Sequence, residues 1–181
     1  MIRSRNLSRR DRYDRKLKEF TSNLPISLCC VNFMHDGNLG YLIRSAACFG
    51  AEALHVIGSV PKRSVLNPLS GSLYDYVKIV NHKNPTAFLD YASTGNFKII
   101  SAELCTGAEP IDNYEFDYSS GLILVVGNET SGVPIEILNK SDKVYIPMPG
   151  VGFCLNTSQA ANILLYEATS QYCELKRRET Q

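Results

Sequence analysis

Apolar residues fall along this chain in two rhythms. The segment PISLCCVNF (25–33) is a short apolar run with the pattern of a buried strand, and ALHVIG (53–58), FKIISAEL (97–104), GLILVVGNE (121–129) and KVYIPM (143–148) read as further strands. Between the first two runs, Leu39, Leu42, Ile43, Ala46 and Ala47 recur at the i, i+3, i+4, i+7, i+8 spacing of one helical face. Asn38 is the predicted N-cap of that helix and Gly50 its C′ residue. A second helix is predicted over 84–94, with Asn84 as cap and Pro85 in its first position. A short one begins in SGVPIEILNKS (131–141), and a closing helix runs from Asn156 to about Cys173. In SVLNPLSGSLYDYVKIV (64–80) the pattern gives a short helical turn and then a strand near Tyr76–Val80. The polar, turn-rich stretch 105–120 carries no periodic signal.

Strands alternating with helices predict an α/β domain on a parallel sheet. Ligands of such folds sit at the carboxyl ends of the strands. Three turns fall there: HDGN (35–38), GNETSG (127–132) and MPGVGFCLN (148–156). The last is unusual, because it is rich in Gly and apolar residues where a loop is ordinarily polar.

With 181 residues the chain is long enough for one domain with a proper core. A hydrophobic fraction of 44% and a charged fraction of 20% are those of an ordinary globular protein. No apolar run approaches the ~20 residues of a membrane span. No apolar segment follows the basic start in the manner of a secretory signal. Six cysteines, two adjacent at Cys29 and Cys30 and four scattered singly, form no Cys-x-x-Cys pair. Buried free thiols in a reducing cytoplasm are therefore expected. His35, His55 and His82 lack metal-ligand spacing, and no metal is expected.

The net charge of +1 conceals an asymmetry. Residues 1–20 hold eight Lys/Arg against three Asp/Glu, and the remainder holds eleven against fifteen. A basic arm on a mildly acidic body points to contact with a polyanion, with a solvated terminus as the plain alternative. Arginine outnumbers lysine in the arm, which favours phosphate.

The common nucleotide fingerprints are missing. No G-x-G-x-x-G follows the first strand, no G-x-x-x-x-G-K-[ST] occurs, and there is no G-x-S-x-G elbow. Three other segments match a known set in order: NLGYLIRSAACFGA (38–51), LILVVGNETSGVP (122–134) and YIPMPGVGFCLNTSQAANILLYE (145–167). Together they resemble the three motifs of the SpoU–TrmH branch of the SPOUT RNA methyltransferases, over about Pro25 to Tyr172. The resemblance implies a Rossmann-like parallel-sheet SPOUT fold with a C-terminal trefoil knot, which no periodicity would predict. It also implies S-adenosylmethionine as methyl donor, RNA 2′-O-ribose methylation on tRNA or rRNA, and a cytoplasmic homodimer. The corresponding division is a basic extension at 1–24, the methyltransferase domain at 25–173 and a tail at 174–181.

Residue by residue, the resemblance places the first motif's asparagine and arginine on Asn38 and Arg44, and the second motif's glutamate on Glu129. The Ser-Leu-Asn of the third motif becomes Cys154-Leu155-Asn156 here. Cofactor contacts, largely backbone, map to Gly127, Ile146 and Leu155, with a further one near Glu103. Taken singly these residues have plainer readings. Asn38 and Asn156 suit helix caps, Glu129 a surface acid, Gly127 a strand-ending turn, and Arg44 a solvated helix position. Arg44 lies about 140° around its helix from Leu39, off the apolar face. An arginine is a poor proton acceptor, so its expected role is to hold a phosphate or ribose and ease the developing alkoxide. His35 is the alternative base beside the first motif. Cysteine for serine at Cys154 replaces a hydroxyl by a weaker donor, which leaves open a non-catalytic RNA-binding homologue. With no separate RNA-binding domain before Pro25, tRNA is expected before rRNA.

Overall fold

Every residue of the first strand, β1 (Ile26–Val31), is buried, because the strand lies inside a sheet covered on both faces. The structure is a computed structural model that describes residues 8–19 and 24–180. The remaining elements follow in chain order. A helix α1 (Arg9–Glu19) precedes β1, which leads into α2 (Asp36–Phe49), β2 (Leu54–Ile57) and α3 (Arg63–Leu69). Next come β3 (Ile79–His82), α4 (Pro85–Thr94), β4 (Lys98–Ala102) and the two-residue β5 (Glu109–Pro110). The chain closes with β6 (Leu122–Val126), α5 (Ile135–Leu138), β7 (Asp142–Tyr145) and α6 (Thr157–Glu179). The seven strands form one sheet in the order β3-β2-β1-β6-β4-β7-β5, and each pairing is parallel.

The period-two geometry of the strands divides the core in two. Ile26, Leu28 and Cys30 of β1, with Leu122, Leu124 and Val126 of β6, face Leu39, Leu42, Ile43 and Ala46 of α2 and Ala161, Leu164, Leu165 and Ala168 of α6. Cys29, Val31, Ile123 and Val125 face the other way, onto Phe88 and Ala92 of α4 and Ile137 and Leu138 of α5. The helical face read from the sequence is therefore the buried face of α2. Of the six cysteines, only Cys29 and Cys30 are buried, while Cys48 and Cys154 are exposed, which corrects the expectation of buried thiols throughout. Burial pushes both thiols well above their ordinary values, aided at Cys29 by the neighbouring Cys30 and at Cys30 by the Glu129 carboxylate, so both remain protonated packing groups.

Several boundaries shift for identifiable reasons. The predicted strand at 76–80 begins later, at Ile79, because Tyr74–Tyr76 form a separate 3-10 turn after α3. The unassigned stretch after β4 supplies the edge strand β5 and three buried residues, Ile111, Tyr114 and Phe116. It is tied to the second half of α6 by Gln171, which accepts from the Phe116 N–H at 3.2 Å and donates to the Tyr114 carbonyl at 2.9 Å. This docking accompanies a helix that runs to Glu179, so residues 174–179 continue α6. Within the basic arm, α1 lies against the body: the Tyr76 hydroxyl donates to Asp14 at 2.6 Å, and the Tyr13 and Tyr76 rings meet edge to face at 5.5 Å.

Candidate active site

An all-parallel sheet puts the ends of β1, β6 and β7 on one edge, so the 35–38, 127–132 and 148–156 turns gather there. Glu129 is the first tie between them. Its carboxylate accepts from the backbone N–H of Met34 at 2.9 Å and of His35 at 3.4 Å, and from Asn38 Nδ2 at 2.7 Å. Helix α2 starts at Asp36, with His35 as an N-cap that offers no side-chain hydrogen bond. A carboxylate 91 residues further along the chain thus satisfies donors at the helix start, where the helix dipole also favours a negative charge. Partial burial raises the Glu129 pKa, but the hydrogen bonds from Met34, Asn38, its own backbone and His35 outweigh this and hold it below the ordinary carboxylate value.

Asn38 is the second tie, and it is not a cap. Because α2 begins three residues earlier than the sequence indicated, Asn38 lies in the first turn, only 5% exposed. Its Nδ2 donates to Glu129, and its Oδ1 accepts from Asn156 Nδ2 at 3.0 Å. Asn156 does cap α6: its Oδ1 accepts from the Ser158 N–H at 2.9 Å and from the Ser158 hydroxyl at 2.6 Å. Glu129, Asn38, Asn156 and the buried Ser158 therefore form one chain of hydrogen bonds through all three turns. The sequence reading did not single out Ser158, although its place two residues after a capping asparagine is a usable signal.

Arg44 is exposed on α2 and shares a groove of about 980 Å³ with Asn156. Tyr41, Phe49, Ile163 and Tyr166 give the groove between α2 and α6 its apolar walls. The Arg44 guanidinium makes no hydrogen bond or ion pair among the described residues. It lies beside Gly71, where an added Cβ would stand 3.6 Å from Nη1. His35 enters the network through its backbone, and its ring is not hydrogen-bonded among the described residues.

The other predicted contacts divide into two groups. Gly127 and Glu103 are engaged with the chain itself. A Cβ at Gly127 would come 2.2 Å from the Gly132 carbonyl carbon, so the glycine is required where the 127–133 turn folds back on its own backbone. Glu103 braces the same turn by accepting from the Val133 N–H at 2.9 Å. Leu155 and Cys154 are exposed on the 147–155 segment, and Ile146 packs half-buried against the core. In that segment Val151 is 99% and Phe153 94% exposed. Met34, after β1, and Leu104, after β4, also face solvent. The carboxyl edge thus combines apolar surface with backbone near two glycines, Gly150 and Gly152, that have open space around them. No group of three or more His, Cys, Asp or Glu among the described residues is arranged to hold a metal ion.

Comparison with known proteins gives a consistent picture. Residues 25–166 match the sequence profile of the SpoU rRNA Methylase family. The tRNA (guanosine(18)-2′-O)-methyltransferase of Aquifex aeolicus is 32% identical over 142 residues, covering 77% of this chain and 66% of the relative. The 23S rRNA (uridine(2479)-2′-O)-methyltransferase of Streptomyces viridochromogenes is 33% identical over 75% of this chain and 49% of its own length. The chain thus spans just under two thirds of the first relative and about half of the second. Among solved structures, the SpoU methyltransferase AviRb of Streptomyces viridochromogenes, in complex with the cofactor AdoMet, superposes with a TM-score of 0.72 at 25% identity, over 87% of this chain and 65% of that one.

Proposed function

The chain belongs to the SpoU rRNA Methylase family, and from that premise we propose that it transfers a methyl group from S-adenosylmethionine to a ribose 2′-oxygen of RNA. The observation that carries this reading is the hydrogen-bonded chain Glu129–Asn38–Asn156–Ser158, which ties three turns together beside the uncommitted guanidinium of Arg44.

The residues at the carboxyl edge suit the methyl donor. The exposed apolar Val151, Phe153, Leu155 and Leu104 match a flat adenine and a thioether chain, and the backbone at Ile146 and Leu155 offers hydrogen bonds to the base. Gly127 and Glu103 act by setting the 127–133 turn, not by touching the cofactor through their side chains. S-adenosylmethionine supplies a methyl group already activated on a sulfonium, so the chemistry requires no Lewis acid.

What the protein must add is placement of the 2′-hydroxyl and tolerance of its negative charge as the proton leaves. Alignment of that kind is worth up to roughly 7–11 kcal/mol. Arg44 binds the phosphate or ribose at the target and stabilises the developing alkoxide with charge-assisted hydrogen bonds. Asn38 and Asn156 hold the first and third motifs in register, and Glu129 fixes both to the second. Cys154, exposed at the start of the Cys154-Leu155-Asn156 motif, stands where a serine is usual and serves the loop's shape.

Two finer assignments accompany this reading. The substrate is tRNA before rRNA, with the basic segment around α1 supplying phosphate contacts. The working form is a cytoplasmic homodimer, with a second copy covering the apolar groove between α2 and α6 where Arg44 and Asn156 stand. Among the described residues no helix is long and apolar enough to cross a membrane.

The test is transfer of labelled methyl from S-adenosylmethionine to tRNA and to rRNA, with 2′-O-methylribose identified in the digest. Arg44→Ala is expected to lower transfer at least 100-fold, on the scale of losing a transition-state donor, while S-adenosylmethionine affinity stays the same. Neither RNA accepting label from the unaltered protein would overturn the proposal.

A further inference from the structure

A second cavity, of about 210 Å³, opens where α1 lies against residues 63–76. It holds roughly seven waters at ~30 Å³ each, the scale of one nucleobase. Tyr13 and Tyr76 line it with their rings set at 76° to one another, so the cavity has two differently oriented aromatic walls. Arg63 and Asp75 form a two-pronged ion pair at its rim, with Nε donating at 2.8 Å. Arg10 reaches in from α1 and has no hydrogen bond among the described residues.

Asn67 makes the cavity more than a gap between elements. Its Oδ1 is sealed from solvent without a hydrogen-bond partner, and its amide nitrogen has none either among the described residues. A buried acceptor without a partner is costly. Turning this amide into the cavity gives up no bond and presents a donor and an acceptor together. The cavity also adjoins the proposed active site. The Tyr13 hydroxyl donates to the Gly71 carbonyl at 3.4 Å, and Gly71 is the residue beside which the Arg44 guanidinium lies.

We propose that this cavity takes one unpaired purine base of the RNA substrate, stacked on a tyrosine ring and read by Asn67 and Arg10, while a neighbouring ribose occupies the site at Arg44. Single-stranded RNA is read in this way, by stacking on aromatic rings and hydrogen bonds to a splayed base. A purine offers the larger stacking face. Its edge supplies an N–H for the Asn67 carbonyl and a ring nitrogen or carbonyl acceptor for Arg10. The inference rests on the RNA-methylation reading for the identity of the ligand, and on the cavity alone for its chemistry.

The two layers are separable by nuclear magnetic resonance on the full chain. Guanosine and adenosine 5′-monophosphates are expected to shift the Asn67 side-chain amide and the Tyr13 and Tyr76 ring signals saturably, uridine 5′-monophosphate to do so more weakly, and inorganic phosphate not at all. Arg10→Ala, exposed on α1, is expected to weaken the purine nucleotides about tenfold, the effect of one charged hydrogen bond, and Asn67→Ala to reduce the preference for purine over pyrimidine. Equal shifts with inorganic phosphate, or none with any nucleotide at millimolar concentration, would overturn the base cavity. S-adenosylmethionine, titrated separately and followed at Gly127 and Leu155, tests the methylation reading. A response at Asn67 without one at Leu155 would keep the cavity and remove that reading.

Discussion

Glu129 shows how much one side chain does at this site. The sequence offers it as a surface acid in a polar turn. In the fold it serves α2 as a cap from another part of the chain, accepting from two backbone N–H groups and from Asn38. Glu129→Ala is expected to lower stability by about 1–3 kcal/mol, because it leaves partly buried donors unmet, and to lower methyl transfer with it. Glu129→Gln keeps an acceptor and is expected to cost less; a urea midpoint unchanged in Glu129→Ala would sink this account. Two other residues act at a distance from the site. His55 and His82 are buried side by side on β2 and β3, with Nδ1 of one 2.9 Å from Nε2 of the other. Burial, aided by the neighbouring His82 and by Lys78, lowers the His55 pKa to about 4, and burial lowers that of His82. The unfolded chain takes up a proton near pH 6.5 that the folded His55 refuses until about pH 4. The contribution is therefore fully present above pH 6.5 and is lost as pH falls through that interval. Between pH 7 and 5 the unfolding free energy from urea titration is expected to drop by about 2 kcal/mol, and His55→Gln to flatten the profile. A wild-type profile already flat over that range would contradict the assignment.

At the scale of elements, α1 changes the meaning of the basic arm. Charge alone left it either a polyanion contact or a solvated terminus. The tyrosine contacts and the Tyr76–Asp14 hydrogen bond set part of it against α3 and the turn after it, next to Gly71 and Arg44. Deleting residues 1–20 is expected to weaken RNA binding and flatten its salt dependence by about 0.7–0.9 in slope for each phosphate no longer neutralised, with S-adenosylmethionine affinity unchanged by calorimetry. Equal RNA affinity with and without the arm would refute this. The α6 helix makes a related point. Its first turn holds Asn156 and Ser158 at the site, and its second half anchors the crossing that carries Tyr114, Phe116 and Tyr118. One element thus joins the site to the far edge of the sheet.

At the scale of the whole molecule, the parallel sheet assembles the site. Strands running in one direction put three motifs on a common edge, where Asn38 meets Glu129 and Asn156, 91 and 118 residues away in sequence. The α2–α6 groove beside that edge is apolar, with Ile163 38% and Tyr166 60% exposed. Surface of this kind beside Arg44 suits a second copy. Ile163→Asp is expected to yield a monomer of unchanged helix content in sedimentation and circular dichroism. A wild-type protein that sediments as a monomer would exclude the homodimer.

The elements themselves were legible from the residues. The continuous apolar runs of β1 and β6 had to be interior strands, and the spacing from Leu39 to Ala46 had to be a buried helical face, since the period is a local property. Gly50, Asn84, Pro85 and Asn156 marked helix ends because capping is settled within one turn. The order of three motifs proposed a site before any contact was known. Tertiary structure decided what depended on distant partners. It started α2 at Asp36 and turned Asn38 inward, where its amide bridges Glu129 and Asn156 instead of capping the helix. It gave Gly127 a reason in the chain's own return at Gly132, and it built the cavity at Asn67 from α1 and the segment 63–76. A hydrogen bond or cavity wall between residues far apart in sequence has no period and no local propensity, so only the folded chain brings it into being.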